Sequence, residues 1–286
     1  MIAGQSEYTC VLQMGIIGDK MDIDFVVNVG NNFYDNGLTG VDDDAFEESF
    51  TKIYTAESLQ KPWYTSESMK VFPIYVHNRE LHFIRTLYLL LNIGHYSPKR
   101  LNFSLQGKPI SRISSLWTQH PSYLATGTNP KNNKYEWRGV APREKYITKV
   151  LEDVDSALKQ STAAWKIVVG HHAIRSVSEH GDTQELIQQL LPIHKANEVD
   201  LYINGHDHCL EHISSRDSPL QYLTSGAGSK AWRGSFTPNY DKLEFFYDGQ
   251  GFMSLQLSKE EVHLTFYDVA AAGAIPSRCP TETAVP

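Results

Sequence analysis

Cysteine is scarce in this chain. The 286 residues include three, Cys10, Cys209 and Cys279, an odd and sparse set that excludes a disulfide framework. Long apolar runs are missing too. The longest, "LYLLLNIG" from Leu87, stops well short of the roughly 20 residues needed to cross a bilayer, so no membrane partner is expected. The first residues, "MIAGQSEYTC", have neither a charged start nor an apolar stretch, and no signal peptide is read there. Basic charge is in deficit, with 26 Lys and Arg against 33 Asp and Glu. A nucleic-acid partner, which usually requires a basic face, is not expected.

What is present suits a folded globular domain. Hydrophobic residues make up 41% of the chain, enough to bury one sizeable core. One pattern recurs three times. "DIDFVVNVG" (22–30), "WKIVVG" (165–170) and "VDLYING" (199–205) each stop at glycine and open into a polar cluster: "NNFYDNG", "HHAIRSVSEHGD" and "HDHCLEH". Such short continuous apolar runs suit strands buried on both faces. Helical patterns precede them. Residues 142–160 place Tyr146, Val150, Val154 and Leu158 four apart behind Pro142. Residues 182–200 repeat the idea, with Thr183 as N-cap and Pro192 ending or kinking the helix. A third helix follows Val41, with acids in its first turn where the helix dipole favours them. Alternation of helix and strand predicts an α/β fold with largely parallel strands, whose ligands bind beyond the carboxyl ends of the strands. From Leu220 onward the runs alternate like antiparallel strands, forming one layer of a sandwich. Residues 270–286 read as a tail without fixed structure.

The polar clusters have metal-ligand chemistry. In extended backbone, positions i and i+2 face one side, so His206 and His208 would point at one locus and Asp207 away from it. His171 reaches the same edge from the neighbouring strand, and Asn31 and Tyr34 from the third. Nitrogen and oxygen donors suit Zn, Fe or Mn better than Ca or Mg, and a phenolate favours ferric iron. Pairs of metals are the usual device for hydrolysing phosphate esters. His172 reads as a structural neighbour pointing the other way, and Cys209 as a small buried residue. Gly18 and Asp19 lie in a helical stretch and are set aside.

Together, "VGNNFYDNGL", "VVGHHAIRSVSEHGDT", "INGHDHCLEH" and "TSGAGSKAWRG" resemble the small, single-domain purple acid phosphatases of the calcineurin-like metallophosphoesterases, over residues 11–62 and 128–269. The resemblance implies a four-layer α/β/β/α sandwich, incomplete at its N-terminus, filling residues 1–269. It implies a dinuclear centre of Fe(III) plus a divalent metal (Fe, Zn or Mn). Tyr34 and His208 would bind the ferric ion, and His171 and His206 the divalent one. Small phosphomonoesters would be hydrolysed by a metal-bound hydroxide, with His180 of "SEHGD" protonating the leaving alkoxide. Members of the family are secreted or vacuolar.

Three departures accompany the resemblance. The family's opening strand with its Gly-Asp has no counterpart. Its bridging carboxylate falls at Asn31, and an amide lacks the charge that holds two cations together. Its Gly-Asn-His-Asp/Glu motif is absent from residues 63–127, where "HNRELHF" and "NIGHYS" hold similar letters in another order. Residues 68–127 carry one acid, Glu80, against seven Lys or Arg, unlike their acidic flanks, and residues 63–127 read as an inserted or replaced block. An acid phosphatase is the reading; the alternative is a relative impaired by missing ligands.

Overall fold

The computed structural model describes residues 5–30, 43–65, 87–91, 143–258, 261–269 and 273–279. Its centre is a six-stranded mixed sheet in the order β3-β4-β5-β7-β6-β8, formed by β3 (Leu87–Leu91), β4 (Trp165–Val169), β5 (Leu201–Asn204), β6 (Leu210–Ser214), β7 (Gln221–Ser225) and β8 (Lys242–Tyr247). β4, β5 and β7 run parallel. β3 and β6 pair antiparallel with their neighbours. The apolar runs of β4 and β5 are buried on both sides, as their sequence predicts. Val168 and Tyr202 face a core shared with the helices, whereas Ile167, Val169, Leu201 and Ile203 face a second sheet.

The helical side of that core is supplied by α3 (Arg143–Gln160), α4 (Gln184–Gln189) and α5 (Leu191–Ala196). Val150, Val154 and Leu158 form the stripe α3 lays on the sheet. Pro192 divides the predicted helix into α4 and α5, because it has no N–H to donate and its ring collides with the preceding turn. Thr183 sits at the N-cap in extended conformation, but its hydroxyl makes no cap bond.

On the other side, β9 (Gly251–Leu257), β10 (Val262–Asp268) and β11 (Gly273–Cys279) form an antiparallel sheet in the order β11-β10-β9. Val262, Leu264 and Phe266 face the large sheet. Tyr267 and Phe252 face outward, against Cys10, Met14 and Ile17 of α1 (Gln5–Met21). The order is therefore helices, sheet, sheet, helix: the expected four-layer α/β/β/α sandwich. Over Gly273–Cys279, β11 corrects the reading of 270–286 as a tail without fixed structure. It pairs along all of β10, from Val262 opposite Cys279 to Asp268 opposite Gly273. Backbone pairing at an open sheet edge asks little of composition, and an edge strand tolerates Pro276.

Two more expectations change. The strand expected over 22–30 shortens to β1 (Val26–Asn28), because the end of α1 continues in a turn: Asp22 takes φ 47° and the Ile23 N–H donates to Gly18 O over 3.2 Å. β1 pairs not with β4 or β5 but in parallel with β2 (Trp63–Thr65), in a separate two-stranded sheet. The helix after Val41 begins as α2 (Asp44–Phe46), where the Asp43 carboxylate accepts the Ala45 N–H over 3.0 Å, and continues as a π-helical stretch (Glu47–Thr51). Apart from β2 and β3, the block 63–127 lies outside the described residues.

Candidate metal centre

The carboxyl ends of β4 and β5 are level. Val169 stands opposite Ile203, Gly170 N–H donates to Ile203 O over 2.9 Å, and Gly205 N–H donates to His171 O over 3.0 Å. The two histidine-bearing loops therefore start side by side. Although β1 belongs to another sheet, its end still arrives here. A Cβ on Gly205 would lie 2.8 Å from the Val29 side chain and 3.2 Å from Val29 O. That same carbonyl accepts the His171 Nδ1–H over 2.8 Å. Glycine at 205 lets a third chain segment close over the site. Gly205→Ala should cost about 1–3 kcal/mol, the usual penalty of overpacking, and loosen the Val29–His171 bond. Urea unfolding would measure it, and an unchanged midpoint would refute this role for Gly205.

His171 is 6% exposed. With Nδ1–H committed to Val29 O, its Nε2 is the unprotonated nitrogen, and it lies 3.1 Å from His206 Nδ1. This is how a metal-ligating histidine is usually prepared, one nitrogen anchored to a carbonyl and the other presented. Around this pair stand His172, its ring 4.0 Å from that of His206, and His180, stacked on His206 at 4.1 Å and 15°. One ring nitrogen from each of His171, His172 and His206 lies within 4.8 Å of the other two.

The extended-backbone expectation for His206 and His208 is corrected. His206 has φ 64°, and Asp207 N–H donates back to Gly205 O over 2.8 Å. This three-residue turn with positive central φ is rare and strained, and strain of this kind gathers at functional sites. It carries His208 away from the trio. The His208 ring stacks on Trp232 at 4.0 Å and 10°, and its Nδ1 is buried without a hydrogen-bond partner among the described residues. His172 is corrected in the opposite sense. Residues 170–172 bend, so strand alternation does not apply and the ring turns in. Sequence reasoning missed His172, Trp232 and the Val29 carbonyl; the only sequence signal was the "HH" doublet itself. Asn31 and Tyr34 lie outside the described residues.

Burial keeps His171, His206 and His208 neutral. It pushes His171 down to about 4, with the Val29 bond opposing and the charges of His208 and His180 assisting. His208 is pushed down to about 4, mainly by burial and also by Lys230. His206 is pushed down furthest, by burial and then by its histidine neighbours. Neutral imidazoles are the form that binds metal.

Beneath the trio, two acids are wholly buried. Asp207 Oδ1 accepts the His180 backbone N–H over 2.9 Å, and Glu211 Oε2 accepts that of Val177 over 2.9 Å. Burial raises both carboxyls, Glu211 to about 8. Arg175 crosses the loop between Asp182 at 2.6 Å and Asp241 at 2.8 Å. The segment bearing His180 is thus suspended from buried side chains rather than left to solvent.

The donor set fits a metal centre. A backed imidazole nitrogen faces a second one at 3.1 Å, a third lies within 4.8 Å of both, and His208, outside that group, keeps a buried nitrogen with no partner among the described residues. No family model matches the chain. Among curated proteins it is 45% identical over 280 residues to purple acid phosphatase 3 of Arabidopsis thaliana, covering 90% of this chain and 69% of that protein. Among solved structures, GAP50, titled the anchor in the inner membrane complex of Plasmodium, superposes with a TM-score of 0.66 at 18% identity, covering 98% of this chain and 86% of that one. The purple acid phosphatase PPD1 from yellow lupin seeds superposes with a TM-score of 0.54 at 13% identity, covering 96% and 49%. These two likenesses concern the fold.

Proposed function

The chain belongs to the purple acid phosphatases, phosphomonoester hydrolases with a dinuclear metal centre, and on that premise we propose how its residues serve the reaction. His171 and His206 hold a divalent ion (Fe, Zn or Mn). His208 and Tyr34 would hold Fe(III), and Asn31 would help to hold the pair of ions. The observation that carries this reading is the 3.1 Å approach of His171 Nε2 to His206 Nδ1, with His171 anchored from behind by Val29 O. When bound, the ions supply positive charge for the phosphoryl oxygens and activate water as a nucleophile.

The chain's own residues do the rest. Val29 O fixes the His171 tautomer so that Nε2 faces inward. Trp232 covers one face of His208 and meets His180 edge-on, with ring centres 5.0 Å apart, shielding that side of the site from water. His180 is exposed, stacks on His206, and hangs by its backbone from Asp207. It therefore stands beside the centre yet open to an incoming ester, and gives its proton to the departing alkoxide. Substrates are small phosphomonoesters. Secretion or vacuolar delivery follows from the family resemblance and belongs to the same proposal. Among the described residues no helix is long and apolar enough to cross a membrane.

Metal analysis combined with p-nitrophenyl phosphate hydrolysis at mildly acid pH tests the reading. We expect two ions per chain, a visible phenolate-to-iron absorption and turnover. A well-folded chain that binds no metal and turns over nothing would overturn it.

A further inference from the structure

We infer that His172 is a third nitrogen ligand to the ion held by His171 and His206. This inference rests on the metal reading above and extends it to a residue that reading leaves out. Two nitrogens about 2.1 Å from one ion and 3.1 Å apart subtend about 95° at it, a normal ligand angle. The third imidazole arrives from the same side. Its ring centre is 4.0 Å from that of His206 and 5.0 Å from that of His171, nearly perpendicular to the latter at 85°. Rings that radiate from one point are inclined in this way, whereas a packed stack is parallel.

The placement of His172 is fixed by its surroundings. Tyr202 Oη donates to His172 O over 2.8 Å, through space that exists because residue 170 is glycine: a Cβ there would lie 2.2 Å from that hydroxyl. One residue earlier, His171 O accepts Gly205 N–H. The bend at 170–172 is pinned at successive carbonyls, and His172 turns toward the site as a consequence.

The chemistry of the chain gives the third nitrogen a purpose. Position 31 is an amide rather than a carboxylate, and residues 63–127 lack the Gly-Asn-His-Asp/Glu motif. A three-imidazole set with an open position is a complete site for one borderline divalent ion such as Zn2+ or Co2+. It needs no carboxylate and leaves one coordination position for water or a phosphoryl oxygen.

Titration of the full, metal-free chain with Co2+ tests the assignment, read by visible ligand-field absorption and by calorimetry, beside His172→Phe and His172→Gln. We expect wild type to bind Co2+ with a distinct visible band. Both variants should bind it about 10–100-fold more weakly, with an altered band, while their metal-free melting curves match wild type. Equal affinity and an identical band in wild type and His172→Phe would overturn the role of His172 and leave the His171–His206 site standing. A wild-type chain that binds no Co2+ would overturn both.

Discussion

Taking the metal-free protein from well above pH 6.5 to below 3 should remove about 5 kcal/mol of stability through His194 alone. This residue lies on α5 and is fully buried, and neither ring nitrogen has a hydrogen-bond partner among the described residues. Its ring lies 5.6 Å from that of Tyr202. Burial alone lowers its pKa from 6.5 to about 3. The unfolded chain therefore takes up a proton that the folded chain refuses. Stability is whole above pH 6.5 and drains away as the pH falls toward 3. At about 1.36 kcal/mol per pH unit, a span of roughly 3.5 units gives the figure stated, comparable to the whole stability of many domains. His194→Leu keeps the volume and removes the titration, so its unfolding midpoint should lose far less between pH 7 and 4.5. Parallel wild-type and variant curves over that range would refute the assignment. His171 and His208, both lowered to about 4, add to the acid sensitivity of the metal-free chain. Bound metal protects them, because it stabilises only the folded, deprotonated set. Metal loading should therefore flatten the wild-type profile without abolishing the His194 contribution.

Removing the Asp207 side chain is expected to lower kcat about 100-fold while leaving KM close to wild type. Asp207 contacts no substrate in the proposed mechanism. It acts through His180, whose backbone N–H it accepts over 2.9 Å from a wholly buried position. Without that acceptor the N–H is left unsatisfied and the loop shifts to find another partner. A displacement of about 1 Å in a proton donor can cost on the order of 100-fold. Asp207→Asn keeps an oxygen where Oδ1 stands and should recover most of the rate, which separates positioning from general damage. It should also fold at least as well at neutral pH, because the carboxylate is held against its preference: burial raises its pKa, and Oδ2 has no hydrogen-bond partner among the described residues. Steady-state kinetics of both variants settle the matter. An alanine variant within twofold of wild-type kcat would remove Asp207 from the account.

By itself the sequence determined the secondary elements that carry the site and the residue types within it. Continuous apolar runs fix β4 and β5 as strands buried on both faces, since no other arrangement keeps both sides of such a run from water. The stripe of Val150, Val154 and Leu158, spaced four residues apart, fixes α3 and its buried face. Glycines at strand ends marked where the chain must turn closely, and the histidines behind them marked the chemistry. Only the tertiary structure decided which histidines meet. Periodicity assigns faces within regular backbone and says nothing once the backbone leaves it. His206 at positive φ sends His208 toward Trp232, and the bend at 170–172 turns His172 inward. The approach of Val29 to Gly205 and His171 joins segments 142 residues apart, across a sheet boundary that no local pattern records. Strand identity is a matter of side-chain burial, which is written residue by residue. The convergence of ligands depends on loop dihedrals and on the register between strands, and those are set by the packing of the whole molecule.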